Sequence, residues 1–194
     1  EYIQKLKDIG LEIYAVSRWF NHAVVYTEDS TLIDKAKSLD FVNAEEKQIK
    51  KKKKSKIKKP KEINIESVKD KTYAFDYGTG LNQIKMLNGH NLHNKGFTGE
   101  GIHIALLDAG YYNVDSLAGF DSTRMNNQIL GTKDFVERDG DVYEDASHGM
   151  QVLSTIAANY PGKLVGTAPH AKFWLLRSED DRSEYLVEEY YWIT

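Results

Sequence analysis

Apolar positions along this chain fall into short segments whose period changes from element to element. Ile102, His103, Ile104, Ala105, Leu106 and Leu107 form a nearly continuous apolar run. That is the pattern of a strand buried on both faces, as in a parallel sheet, with Asp108 at its carboxyl end and Gly110 to break it. Lys172 to Arg177 reads as a second strand of the same kind. After His148, the residues Val152, Leu153, Ile156 and Ala157 keep helical spacing, so a helix is predicted with the imidazole at its start and outside its core stripe. Thr79 to His93 reads as a helix or a pair of turns, and Ser183 to Ile193 as a helix. Strands and helices alternate as βαβ units do, and right-handed crossovers would bring Asp108 and the start of the His148 helix to one sheet edge. Open α/β sheets place their chemistry at that edge. The fold class expected is α/β, a partial doubly wound and mostly parallel sheet.

The first 46 residues carry a separate pattern. A helix from Tyr2 to Ile9 ends at Gly10; Leu11 to Val16 and Phe20 to Tyr26 read as strands; Ser30 caps a helix from Thr31 to Leu39; Phe41-Val42 is strand-like. A small α+β domain is expected over residues 1–46.

Charge separates the two regions. Residues 47–61, KQIKKKKKSKIKKPK, hold ten lysines and no acid. The whole chain has 26 basic and 29 acidic residues, so the rest carries 16 against 29, a balance of −13 beneath a formal net charge of −3. A run with so few apolar residues cannot offset the entropy of ordering it, so residues 47–72 are expected to form a self-repelling linker where a protease can cut. Without interleaved aromatic or arginine residues to stack on bases, the run is not read as a nucleic-acid site. The absence of cysteine excludes disulfides, thiolate zinc and thiol catalysis. No apolar run is long enough to span a bilayer, so no membrane partner is expected. A start directly in a helix-like segment points to a processed or cropped N-terminus.

The candidate chemistry is the pair at the sheet edge. A carboxylate that orients an imidazole is two thirds of a nucleophilic triad, so Asp108 and His148 are the candidate catalytic residues. His90 and His93, at i, i+3 spacing, lack a nearby third ligand and read as packing residues, as do His22 and His103 within strands. Gly99-Glu100-Gly101 precedes its strand and is no dinucleotide loop. A phosphatase using Asp108 as nucleophile would need a second acid two positions on, where Gly110 stands.

Asp108-Ala109-Gly110 ends an apolar strand, and His148-Gly149-Met150-Gln151-Val152-Leu153-Ser154 opens a helix. Tyr77-Gly78 with Gln83-Ile84, Gly96-Phe97-Thr98-Gly99-Glu100-Gly101 and Gly166-Thr167-Ala168-Pro169-His170-Ala171 occur in the order in which subtilases carry them. On these motifs residues 73–194 resemble the N-terminal part of a subtilisin-like serine protease, most closely the secreted bacterial subtilases. Ala109 and Met150 depart from the family's Ser/Thr and Thr. The resemblance implies a serine endopeptidase made as a zymogen, with peptide or protein substrates, residues 1–46 as an inhibitory propeptide lacking its first strand, and export from the cell. It implies the Asp108 and His148 roles above, and a substrate cleft bordered by Ser183, Glu184 and Tyr185. The family's Gly-Thr-Ser-x-Ala/Ser turn occurs nowhere in the chain, and neither Ser147 nor Ser154 is placed to replace it. The nucleophile, the oxyanion-hole Asn and the rest of the catalytic domain are therefore expected outside this stretch. No cofactor is required; calcium is implied as a structural ion, the acidic loop Asp139, Asp141, Glu144 and Asp145 having a suitable composition without helix-loop-helix spacing. The alternative is a subtilase-like protein that has lost catalysis and only binds or inhibits.

Overall fold

A computed structural model describes residues 1–43, 73–144, 146–182 and 187–192. The expected linker, residues 47–72, lies outside the described residues. The rest divides into two compact units.

In the first unit, α1 (Tyr2–Asp8) leads into the strands β1 (Glu12–Ser17) and β2 (His22–Tyr26), which pair antiparallel, and α2 (Ser30–Lys37) follows. The spacing of Leu6, Leu11 and Ala36 puts one apolar face of each element inward, and Ile13, Val25 and Ile33 pack around them. Two expectations change. Asp29, and not Ser30, caps α2, its carboxylate accepting the Thr31 N–H at 2.9 Å. Phe41-Val42 forms no strand; the Phe41 ring lies 4.7 Å from that of Tyr2 and adds to the core. The helix α7 (Val187–Trp192) belongs to this unit although it follows the site-bearing stretch in sequence. Tyr191 packs 6.2 Å from Tyr14, and the Tyr190 hydroxyl lies 3.2 Å from Nδ1 of His22.

The second unit is α/β. A 3-10 turn at Gly78–Gly80 precedes α3 (Leu81–Met86) and α4 (Gly89–Asn94); then come β3 (His103–Asp108), α5 (Asp121–Met125), β4 (Ile129–Asp134), α6 (His148–Ala157), the two-residue strands β5 (Asn159–Tyr160) and β6 (Leu164–Val165), and β7 (Lys172–Arg177). The sheet order is β3-β7-β4, all parallel, with Asp108, Arg177 and Asp134 level at the carboxyl ends. Leu106, Phe173 and Leu175 face inward and meet Leu153 and Ala157 of α6. The other face departs from expectation. Leu107 is 36% and Trp174 44% exposed, so among the described residues β3 is buried on one side only. Its two-sided apolar pattern exceeds the cover these elements give it.

Candidate active site

Asp108 is the last residue of β3 and His148 the first of α6, so both stand at the carboxyl edge of the sheet. The imidazole Nδ1 lies 2.9 Å from each carboxylate oxygen. A carboxylate only accepts, so Nδ1 carries the proton and the lone pair of the neutral ring is on Nε2. The Asp108 side chain is 9% exposed and the His148 side chain 70%. A buried anion thus holds an accessible base in one tautomer. Oδ1 of Asp108 also accepts the Ala109 N–H at 2.7 Å. Because that donor is backbone, the Ala109 departure leaves the bond intact. Met150 packs against the core and leaves the pair untouched.

The closeness of helix and strand has a steric cause. A Cβ on Gly149 would stand 2.6 Å from the Gly110 carbonyl oxygen and 2.9 Å from both Asp108 Cβ and Tyr111 Cε1. Only a residue without a side chain lets α6 begin this near the strand end.

Two features of this edge escaped the sequence reading. Asp134 accepts backbone N–H groups from Val136 at 2.8 Å, Glu137 at 3.0 Å and Arg138 at 2.8 Å, and its Oδ2 lies 3.4 Å from Arg177 Nη1. Both are buried. Tyr111 is wholly buried, with its hydroxyl on strand-end carbonyls. The only signal was position: Asp134 and Arg177 are the terminal residues of their strands.

Other candidates resolve into structural roles. His93 uses both ring nitrogens: Nε2 donates to the Thr167 carbonyl at 2.9 Å, so Nδ1 accepts the Tyr77 hydroxyl at 2.7 Å. Burial, then Tyr73, pushes the Tyr77 phenol above its ordinary pKa, in keeping with a donor. His90 meets the Tyr73 ring edge-on. His22 and His103 open their strands on the surface. Ser154 donates to the Gln151 carbonyl at 2.6 Å, and Ser147 accepts from the Gln151 side chain at 3.3 Å. Ser183, Glu184 and Tyr185 lie outside the described residues.

In the acidic loop, Asp139 and Asp141 accept the backbone N–H groups of Asp141 and Tyr143, at 2.9 and 2.7 Å. A cavity of about 430 Å³ is lined by Tyr112, Asn113, Asp115, Asp141, Tyr143 and Glu144. Asp145 lies outside the described residues, and among those described no three carboxylates or histidines are grouped to hold a metal.

A buried carboxylate and an exposed histidine thus meet at the carboxyl edge of a parallel sheet in an α/β architecture. Comparison with known proteins shows what the chain is similar to. Residues 1–64 match the peptidase S8 propeptide domain of Bacteroidota. Subtilisin E of Bacillus subtilis is 31% identical over 123 residues, 62% of this chain and 28% of that protein. The thermostable alkaline protease of Halalkalibacterium halodurans is 27% identical over 155 residues, 78% of this chain and 38% of that protein. The crystal structure of MycP1 from Mycobacterium smegmatis, at 19% identity, covers 66% of this chain and 30% of that one with a TM-score of 0.37, too slight a likeness to bear on the assignment. By these matches the chain is similar to subtilisin-like proteases, with an S8 propeptide-type stretch at its N-terminal side. It spans 28% and 38% of the length of the two proteases.

Proposed function

We propose that the protein is a serine endopeptidase in which Asp108 and His148 are the catalytic acid and base and a serine outside this stretch is the nucleophile. The observation that carries this is the 2.9 Å contact of His148 Nδ1 with both oxygens of a buried Asp108, the imidazole otherwise accessible. His148 Nε2 would take the serine proton as the hydroxyl attacks a peptide carbonyl, then deliver it to the leaving amine. Asp108 would hold the tautomer and stabilise the imidazolium.

Residues 1–46 form the inhibitory prodomain in this proposal, residues 47–72 the segment cut on maturation, and residues 73–194 part of the catalytic domain. Peptide or protein substrates, export from the cell and a cleft bordered by Ser183, Glu184 and Tyr185 complete the reading. One similar relative is named a major intracellular serine protease, at 33% identity over 99 residues, so export has its own test in cell fractionation. No described helix is long and apolar enough to cross a membrane. Calcium enters only as a structural ion.

In the full-length protein, His148→Ala should lower peptide hydrolysis by several orders of magnitude and leave binding in place. Unchanged turnover overturns the assignment. Failure of the unaltered protein to label with a serine-directed fluorophosphonate would favour a subtilase-like binding or inhibitory module. N-terminal sequencing of the mature protein should find a start between about Lys47 and Lys71. A start before Phe41 rules the prodomain boundary out.

A further inference from the structure

We propose that Tyr111 is a positioning residue for the Asp108–His148 pair, a reading that rests on the catalytic assignment of that pair. Tyr111 follows the Asp108-Ala109-Gly110 turn and is 0% exposed. A phenylalanine would fill the same space without a hydroxyl to bury, so the hydroxyl's partners decide what the residue does. It donates to the Leu106 carbonyl at 2.7 Å and lies 3.3 Å from the Leu176 carbonyl. These belong to adjacent strands, two residues before Asp108 and one before Arg177. The phenol therefore ties the ends of β3 and β7 together directly beneath the carboxylate. Burial, with Asp108 second, keeps the phenol above its ordinary pKa, so it remains a donor.

The ring acts on the other half of the pair. With Gly110 and Asp108 it forms the floor on which α6 rests at Gly149, next to His148. The backbone fixes the same relation from the loop side. Tyr111 N–H donates to the Val142 carbonyl at 2.8 Å, Asn113 N–H to Tyr143 at 3.0 Å and Tyr112 N–H to Ala146 at 3.3 Å, along the loop that leads into His148. One side chain thus meets the strand that bears the acid, the neighbouring strand and the helix start that bears the base. Removing its volume gives α6 room to sink toward β3, and a displacement of about 1 Å in a reacting group costs on the order of 10²-fold in rate.

The test uses the full-length protein with Tyr111→Leu and Tyr111→Phe, reading kcat and KM on a peptide substrate and the ring ¹⁵N resonances of His148, which report whether the proton sits on Nδ1. Tyr111→Leu should lose about 10²-fold in kcat, with KM within about 2-fold, and give a mixture of tautomers. Tyr111→Phe, which keeps the floor and loses the tie, should lose roughly 10-fold in kcat and move the Nδ1 resonance. A folded Tyr111→Leu protein with wild-type kcat, or with reduced kcat and an unmoved tautomer, overturns the proposal. If that variant does not fold, Tyr111→Phe decides, and an unchanged kcat and resonance overturns it. The tautomer is read without turnover. A fully active His148→Ala protein therefore removes the catalytic assignment, while the effect of Tyr111 on the ring stands or falls separately.

Discussion

Gly149→Ala adds one methyl where the helix start meets the strand end. That carbon would stand 2.6 Å from the Gly110 carbonyl oxygen, whereas ordinary contact begins near 3.4 Å, so the backbones must part by roughly 0.8 Å. The obstruction is backbone, which cannot swing aside as a flexible side chain would. Overpacking of this kind costs about 1–3 kcal/mol. Alanine recovers up to about 1 kcal/mol in a helix, less in its first turn, so the net effect is destabilising by about 1–2 kcal/mol. The larger consequence is at the pair. His148 precedes Gly149 and moves with it, and a shift approaching 1 Å away from Asp108 should cost on the order of 10²-fold in kcat. Denaturant unfolding and kcat/KM of the full-length protein measure the two effects. Gly119→Ala is the control, because nothing lies within 4 Å of a Cβ there, and its stability should change by no more than about 0.5 kcal/mol. A Gly149→Ala protein with wild-type stability and turnover would refute the steric account of the site.

Asp134→Ala takes the carboxylate from beside a guanidinium that is 2% exposed, and also strips three backbone N–H groups of their acceptor. It should destabilise the protein by about 3–5 kcal/mol in denaturant unfolding, and a loss under 1 kcal/mol would show the pair to be dispensable. Asp29→Ala should destabilise the first unit at neutral pH. The Thr31 side chain, and after it the Thr31 N–H, holds the Asp29 carboxyl below its ordinary value of 3.8, so its contribution is present above that pH and fades as pH falls through the lowered pKa. Thermal melts of variant and wild type should converge in acid, and a constant gap would mean that the cap does not act through its charge.

Elements set by local pattern were legible in the sequence, and elements set by neighbours were not. The Asp108 strand and the His148 helix announce themselves through strong periodicity, and their meeting follows from the handedness of the crossover. β4 went unseen because Ile129 and Leu130 are followed by Gly131, Thr132 and Lys133, which weaken any strand signal. The cause is across the sheet: a Cβ at Gly131 would lie 2.6 Å from the Trp174 ring, so the glycine belongs to the tryptophan of β7. β5 and β6, two residues each, exist only through their pairing with one another. Asp29 and Ser30 are both capping residues, and only the bond to Thr31 separates them. At the site, Asp108 and His148 could be read from motif and position. Tyr111 could not, because its role depends on Leu176 and Gly149, which no local pattern connects to it.

The order β3-β7-β4 also governs when the sheet can form. Among the described residues the central strand is the last of the three along the chain, so neither outer strand meets β7 until synthesis reaches Arg177. Asp108 therefore waits roughly 70 residues for the strand that holds it, a long-range closure of the kind that slows folding. While it waits, two apolar segments are exposed to one another and to other chains, which is the condition under which a nascent sheet aggregates. The same connectivity that brings the acid and the base to one edge leaves that edge unmade until β7 is in place.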